Sequence, residues 1–259
     1  MNWKSLFRAD PHPTPVMDEG VRVYAVGDVH GRLDLLLELR ERIEEDLADH
    51  PVAHAIEVYL GDYIDRGPAS REVLEHFITS QPVCDERICL KGNHEQTLLD
   101  FLEDPDCLKH WARYGGMSTM RAYGIAEGKP MTSAACKGIH KQFVAAFPPN
   151  HLAFCEGLPT SLSVGDYFFV HAGVRPGVPL EAQKDQDLMW IRDEFLTSGK
   201  YHGKLIVHGH TPTKQPEVHT NRINIDTGAY STGILTCLVL ENDAQGMIAT
   251  GPPGPSRLD

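Results

Sequence analysis

Five short stretches of this chain carry residue types that can bind divalent metal. They are GDVHG (27–31), GDYIDRGP (61–68), GNHE (92–95), HAG (171–173) and HGHTP (208–212). Between them they offer Asp28, His30, Asp62, Asp65, Asn93, His94, His171 and a choice of His208 or His210, with Arg66 beside Asp65. Imidazole, carboxylate and amide oxygen without thiolate suit Mn²⁺, Fe²⁺ or Zn²⁺ better than copper(I) or an iron–sulfur cluster. A phosphate ester resists hydrolysis because its anionic oxygens repel a nucleophile and its leaving group is poor. A pair of divalent ions addresses both problems, by acidifying a bound water and by clamping the phosphoryl oxygens. Each stretch alone is a weak signal, because an Asp or Asn after a strand is usually a turn residue or a helix cap. It is their coincidence that points to metal.

The elements that would position these residues are legible around them. VRVYAV (21–26) reads as a strand and stops at Gly27. LDLLLELRERIEEDLADH then shows helical spacing, with Leu36, Leu39, Ile43 and Leu47 on one side. AIEVYL (55–60) alternates as a second strand, and SREVLEHFITS opens a helix at Ser70. RICL (87–90) is a third strand, so strand, helix, strand, helix, strand implies a largely parallel sheet. The span 96–157 reads as mainly helical, in which Trp111 and Tyr114 line a groove or fill the core. Strands return at YFFV (167–170), LIV (205–207), INI (223–225) and ILTCLVLE (234–241). The last of these lack intervening helices, so that half of the sheet is expected to be antiparallel or mixed. All five stretches thus follow strand ends, where open α/β sheets gather their ligand sites.

Composition narrows the partners. A formal net charge of −12 repels nucleic acid and anionic membrane. It would repel a phosphorylated substrate too, unless bound metal reverses the field locally. No apolar run approaches the roughly 20 residues of a membrane span, and the start lacks the pattern of a secretory signal. The six cysteines are scattered without a C-x-x-C pair, which reads as free thiols in a reducing, cytoplasmic setting. Residues 1–20, with DPHPTP, are expected to be a loose leader, and 246–259 a Gly/Pro-rich tail around a domain spanning 21–245.

The five motifs, with HW and GG (110–116), WIRDEF (190–195) and DTGA (226–229), resemble the metallophosphoesterases of calcineurin-like fold. More narrowly, the chain is similar to the phosphoprotein phosphatases, in their bacterial and phage-type serine/threonine branch, from about 21 to 241. The resemblance implies an α/β fold: a central β-sandwich of mixed sheets flanked by helices, with the site at the strand carboxyl ends. It implies Asp28 and His30 on one ion, Asp62 bridging, and Asn93, His171 and His210 on the other, with manganese the expected metal. The family pattern Gly-His selects His210 over His208. Two ions would contribute +4 and Asp28 and Asp62 −2, a balance of about +2 that suits a phosphate dianion. By the same resemblance His94 is the general acid and Asp65 holds its tautomer. Arg66 and Arg192 are the phosphate grips, since a guanidinium donates two parallel hydrogen bonds. Glu95 reads as structural rather than catalytic.

The leading expectation is a serine/threonine protein phosphatase in which a metal-bridging hydroxide attacks phosphorus directly, without a phospho-enzyme. The alternative is a symmetrical dinucleoside tetraphosphate hydrolase; Asp65 tilts against it, because those relatives often carry alanine there. A third reading, an inactive metal-binding scaffold, is disfavoured because no ligand, acid or arginine of the pattern is missing.

Overall fold

The computed structural model describes residues 14–125 and 132–251. Strands β1 (Val21–Val26), β2 (His54–Tyr59) and β3 (Glu86–Cys89) lie side by side and parallel, joined by α1 (Leu33–Asp49) and α2 (Ser70–Thr79). Helix α3 (Asn93–Glu103) follows β3 directly. Helices α4 (Leu108–Trp111), α5 (Gly116–Ala122), α6 (Ser133–Ala146) and α7 (Pro149–Gly157) complete a span without strands among the described residues. The second sheet begins with β4 (Ser161–Val164) and β5 (Tyr167–Val170). After it come α8 (Asp185–Trp190), α9 (Asp193–Leu196), β6 (Leu205–His208), β7 (Glu217–Val218) and β8 (Arg222–Asn224). The chain closes with α10 (Ala229–Thr232), β9 (Thr236–Glu241) and β10 (Ala244–Ala249).

Two five-stranded mixed sheets result, ordered β10-β9-β1-β2-β3 and β4-β5-β6-β8-β7. Side chains alternate across each strand, and both faces of both sheets find cover. Val23, Ala25, Ile56 and Val58 meet Tyr167, Phe169, Leu205, Val207 and Ile223 between the sheets. The opposite register, Tyr24, Val26, Ala55 and Tyr59, packs under α1 and α2 with Trp111, Phe101 and Phe143 of the helical span. Phe168, Val170 and Ile206 turn outward beneath Leu188, Ile191 and Phe195 of the α8–α9 region. This is the expected α/β sandwich flanked by helices.

Three strands escape sequence reading: β4, β7 and β10 are short, polar or glycine-bearing, and backbone pairing rather than side-chain pattern holds them. Two boundaries therefore move. Gly246–Ala249, expected in a tail, pair antiparallel with β9. The described end of the expected leader is also anchored. The Val16 amide donates to Asp166 at 3.0 Å and the Met17 amide to the Asn242 carbonyl at 2.7 Å. Met17 is buried between the sheets. Residues 1–13 and 252–259 lie outside the described residues. All six cysteines are free thiols.

Candidate active site

The strand ends converge. His30 follows β1; its Nδ1 is satisfied by the Ile64 carbonyl at 2.8 Å, which aims Nε2 into the interior, where that atom is buried without a partner among the described residues. Asp62 and Asp65 lie in the loop after β2, and Asn93 and His94 form the first turn of α3. His171 follows β5 and His210 follows β6. His171 Nδ1 is held by the Leu60 carbonyl at 2.9 Å. Its Nε2 lies 2.9 Å from Asn93 Oδ1, 3.2 Å from His210 Nδ1 and 3.3 Å from Asp62 Oδ1. On the other side of the same carboxylate, Asp62 Oδ2 is 3.6 Å from His30 Nε2 and 3.7 Å from His94 Nε2. Two buried groups, His30–Asp62–His94 and Asp62–His171–His210, thus share Asp62.

Donors about 2.0–2.1 Å from one ion stand roughly 2.8–3.4 Å apart at octahedral or tetrahedral angles. The 2.9–3.3 Å spacings around His171 match this, and the 3.6 and 3.7 Å spacings from Asp62 to His30 and His94 are slightly wider. Electrostatics agree. Burial alone would raise the Asp62 carboxyl, yet the imidazoles of His171, His94 and His30 hold it well below the usual range. Burial would lower His171, but Asp62 and Asp28 carry it up to about 9. His210 is pushed down to about 2, by burial and by the charge of His171. The buried carboxylates call for positive charge beside them.

The backbone is strained where the site is built. Among the described residues, six non-glycine residues have positive φ: His30, Asp62, Asp65, Arg66, His210 and Asn242. The first five are candidate site residues, and such conformations cost about 1–3 kcal/mol each unless the surroundings enforce them. Glycine makes room for this. A Cβ on Gly92 would stand 2.2 Å from Asp62 Oδ1, and one on Gly209 would stand 2.1 Å from Asp28 Oδ1.

Glu95 is the clasp. Its buried carboxylate accepts from the amides of Gly92 (3.0 Å), Asp62 (2.9 Å) and Tyr63 (2.8 Å), tying the Asp62 loop to α3. Burial pushes its pKa up to about 7. Replacing Glu95 with alanine orphans those buried amides, each worth about 1–3 kcal/mol. We expect a loss of at least about 2 kcal/mol in denaturant unfolding, and unchanged stability would show that water replaces the carboxylate.

Around His94 the arrangement is that of an oriented proton carrier. His94 Nδ1 is 2.5 Å from Asp65 Oδ2, and the same oxygen accepts from Trp111 Nε1 at 2.6 Å. Thr119 Oγ1 donates to Asp65 Oδ1 at 2.5 Å. Burial lowers His94, but Asp62 and Asp65 outweigh it and hold the ring above its ordinary pKa. Arg66 Nη2 lies 3.4 Å from His94 Nε2. Arg192 is exposed at the rim, 3.5 Å from both Thr211 Oγ1 and the His210 carbonyl. It makes no salt bridge among the described residues, and its two hydrogen bonds are long.

Asp28 stands apart from the two groups. It is buried on the same rim, but its carboxylate accepts from the His210 amide at 3.1 Å and is not among the convergent donor atoms. Burial and the neighbouring charge of Asp226 raise its pKa. His210 enters the cluster, whereas His208 lies edge-on to Phe195 with ring centroids 5.1 Å apart. Four neighbours were not singled out as site residues from sequence: Trp111, Thr119, Asp226 and Tyr230. Two of them fall inside quoted motifs, Trp111 in HW and Asp226 in DTGA, but their spacing says nothing of what they touch.

Comparison with known proteins agrees with this geometry. The model of the calcineurin-like phosphoesterases matches residues 21–233. Two similar curated proteins are bis(5'-nucleosyl)-tetraphosphatases PrpE [asymmetrical]. The one from Bacillus velezensis is 28% identical over 231 residues, covering 82% of this chain and 86% of the relative. The one from Oceanobacillus iheyensis is 28% identical over 238 residues, covering 83% and 87%. Among solved structures, one described as a putative diadenosine tetraphosphatase has a TM-score of 0.59 at 16% identity, covering 92% of this chain and 100% of its own. A cold-active protein tyrosine phosphatase has a TM-score of 0.56 at 19% identity, covering 91% and 78%. With sheets, strand-end cluster and sequence in agreement, the chain belongs to the calcineurin-like phosphoesterase family.

Proposed function

We propose that this chain is a metal-dependent hydrolase that cleaves the phosphoanhydride chain of dinucleoside tetraphosphates. The observation that carries the hydrolase is the pair of buried donor groups sharing Asp62, built on strained backbone and flanked by Arg66 and Arg192. The substrate class rests on the curated relatives, whose name specifies asymmetrical tetraphosphatases. The curated relatives named above carry a tetraphosphatase name rather than that of a phosphoprotein hydrolase, the leading expectation from sequence. The sequence alternative, a symmetrical hydrolase, shares the substrate class but differs from the relatives' name in the bond cut. Asp65 does not decide between substrates, because its role here is to hold His94, which any poor leaving group requires.

His30 and Asp62, with Asp28 alongside, would hold one ion; Asp62, Asn93, His171 and His210 would hold the other. Mn²⁺ is our choice of metal, with Fe²⁺ or Zn²⁺ compatible with the same donors. When bound, the ions supply Lewis-acid activation of water and neutralise phosphoryl charge. Arg66 and Arg192 grip non-bridging oxygens and fix the phosphorus in line. His94 delivers a proton from Nε2 to the departing oxygen, while Asp65, Trp111 and Thr119 keep the ring in place. No described helix is long and apolar enough to cross a membrane; we place the enzyme in the cytoplasm, where nucleotides are made.

The test is a parallel assay of Mn²⁺-loaded protein on a dinucleoside tetraphosphate and on a phosphoserine peptide. We expect the nucleotide to be favoured at least about tenfold in kcat/KM, a difference of ~1.4 kcal/mol in transition-state binding. A preference for the peptide would restore the protein-phosphatase reading.

A further inference from the structure

We infer that Tyr230 and Trp190 are nucleobase platforms, one at each end of the dinuclear cluster. The inference rests on the dinucleoside tetraphosphate reading and deepens it. Tyr230, in α10, is 38% exposed. Its ring lies under the Arg66 guanidinium at 4.7 Å and edge-on to His30 at 5.5 Å between centroids. His30 belongs to only one of the two donor groups. Trp190, at the end of α8, is half-buried, and its ring is 6.5 Å from that of His210, which belongs only to the other group. Each end of the cluster therefore has one accessible flat side chain beside a candidate metal ligand.

Beyond Trp190 a groove of about 540 Å³ opens, lined by Met189, Gln96, His110, Lys91 and the carboxylates of Asp100 and Asp185. Its charge matters. The groove has two acids against one lysine, and Lys91 already donates to the Glu156 carbonyl. Such a lining repels further phosphates, so the polyphosphate chain is confined to the centre, where Arg66 and Arg192 stand. It accepts an uncharged heterocycle with hydroxyls. Trp190 offers a π-face, while Asp100 and Asp185, each accepting one hydrogen bond from Gln96 and Thr160, keep lone pairs for ribose hydroxyls. At the other end the Arg66 guanidinium does two things at once, reaching toward His94 and lying over the Tyr230 ring. A base stacked near Tyr230 would place its first phosphate against that arginine. A molecule with a base at each end of a phosphate chain matches this layout; a single phosphorylated side chain would leave one platform unused.

The test compares wild type with Tyr230→Ala, Tyr230→Phe, Trp190→Ala and Trp190→Phe on diadenosine tetraphosphate and on inorganic tripolyphosphate, which has no base. Stacking on an aromatic ring corresponds to about a 5- to 150-fold effect on alanine substitution. We expect KM for diadenosine tetraphosphate to rise by that factor in each alanine variant, with a markedly smaller change on tripolyphosphate, and the phenylalanine variants to restore most of the loss. Calorimetric binding to the Mn²⁺-loaded protein of a diadenosine tetraphosphate analogue with methylene in place of the bridging oxygens, which cannot turn over, should weaken in parallel. If wild type cleaves diadenosine tetraphosphate but the alanine variants lose as much on tripolyphosphate, the platforms are overturned and the substrate reading stands. If wild type ignores diadenosine tetraphosphate, both fall together.

Discussion

We expect His94→Ala to lower turnover of the proposed dinucleoside tetraphosphate substrate by about 10²–10⁴-fold, the range of a positioned general acid, and to leave the metal content unchanged. The physical reason is the direction of the ring. Asp65, itself held by Trp111 and Thr119, fixes Nδ1, so only Nε2 faces the reacting centre. The loss should be larger on a phosphate ester of an aliphatic alcohol, whose alkoxide leaving group is far more basic than the phosphate oxygen released from a tetraphosphate. That contrast separates proton donation from general damage to the site, which would depress both substrates alike. Elemental analysis supplies the second readout. His94 Nε2 lies in the same donor group as His30 and Asp62, so loss of an ion in the variant would make His94 a ligand and leave the proton donor unassigned.

Much of this site was legible because its residues sit at strand ends, and strand ends punctuated by glycine are easy to see. The stretches after β1, β2, β3, β5 and β6 carry nine of the ten residues expected in the site; only Arg192, between α8 and α9, lies outside them. Backbone conformation was not legible. Nothing in the identities of His30, Asp62, Asp65, Arg66 and His210 announces that all five adopt positive φ. Each is forced there by contacts from distant segments, as when the Glu95 clasp draws the Asp62 loop onto α3. The same limit hid Trp111. Its burial is readable from its type, but the hydrogen bond from its indole to Asp65 spans 46 residues. Asp28 adds a contact that its motif does not announce, since its carboxylate accepts from the His210 amide. Tyr230, in α10, and Trp190, at the end of α8, have α9, β6, β7 and β8 between them in the chain, and no spacing rule connects them. Strands such as β10, with AQGMIA, lack the alternation that betrays a strand and are fixed only by their neighbour.

Asp62 is the point on which both donor groups turn, so Asp62→Asn has the broadest expected effect. The substitution preserves shape and removes one negative charge from a buried cluster of imidazoles. Metal content should fall toward zero, since no other carboxylate belongs to either group. Turnover should fall at least about 10³-fold, because the ions contribute several kcal/mol to the transition state and each 1.36 kcal/mol is a factor of ten. Asn93→Ala, by contrast, touches one group only and should cost one ion. Stability gives an independent readout. An ion bound at 100 times its dissociation constant stabilises the folded wild type by about 2.7 kcal/mol, visible as a rise in Tm on adding Mn²⁺. In Asp62→Asn that rise should vanish. An Asp62→Asn protein that still bound two ions and still gained the full increment in Tm would mean that the shared carboxylate does not join the two halves of the cluster.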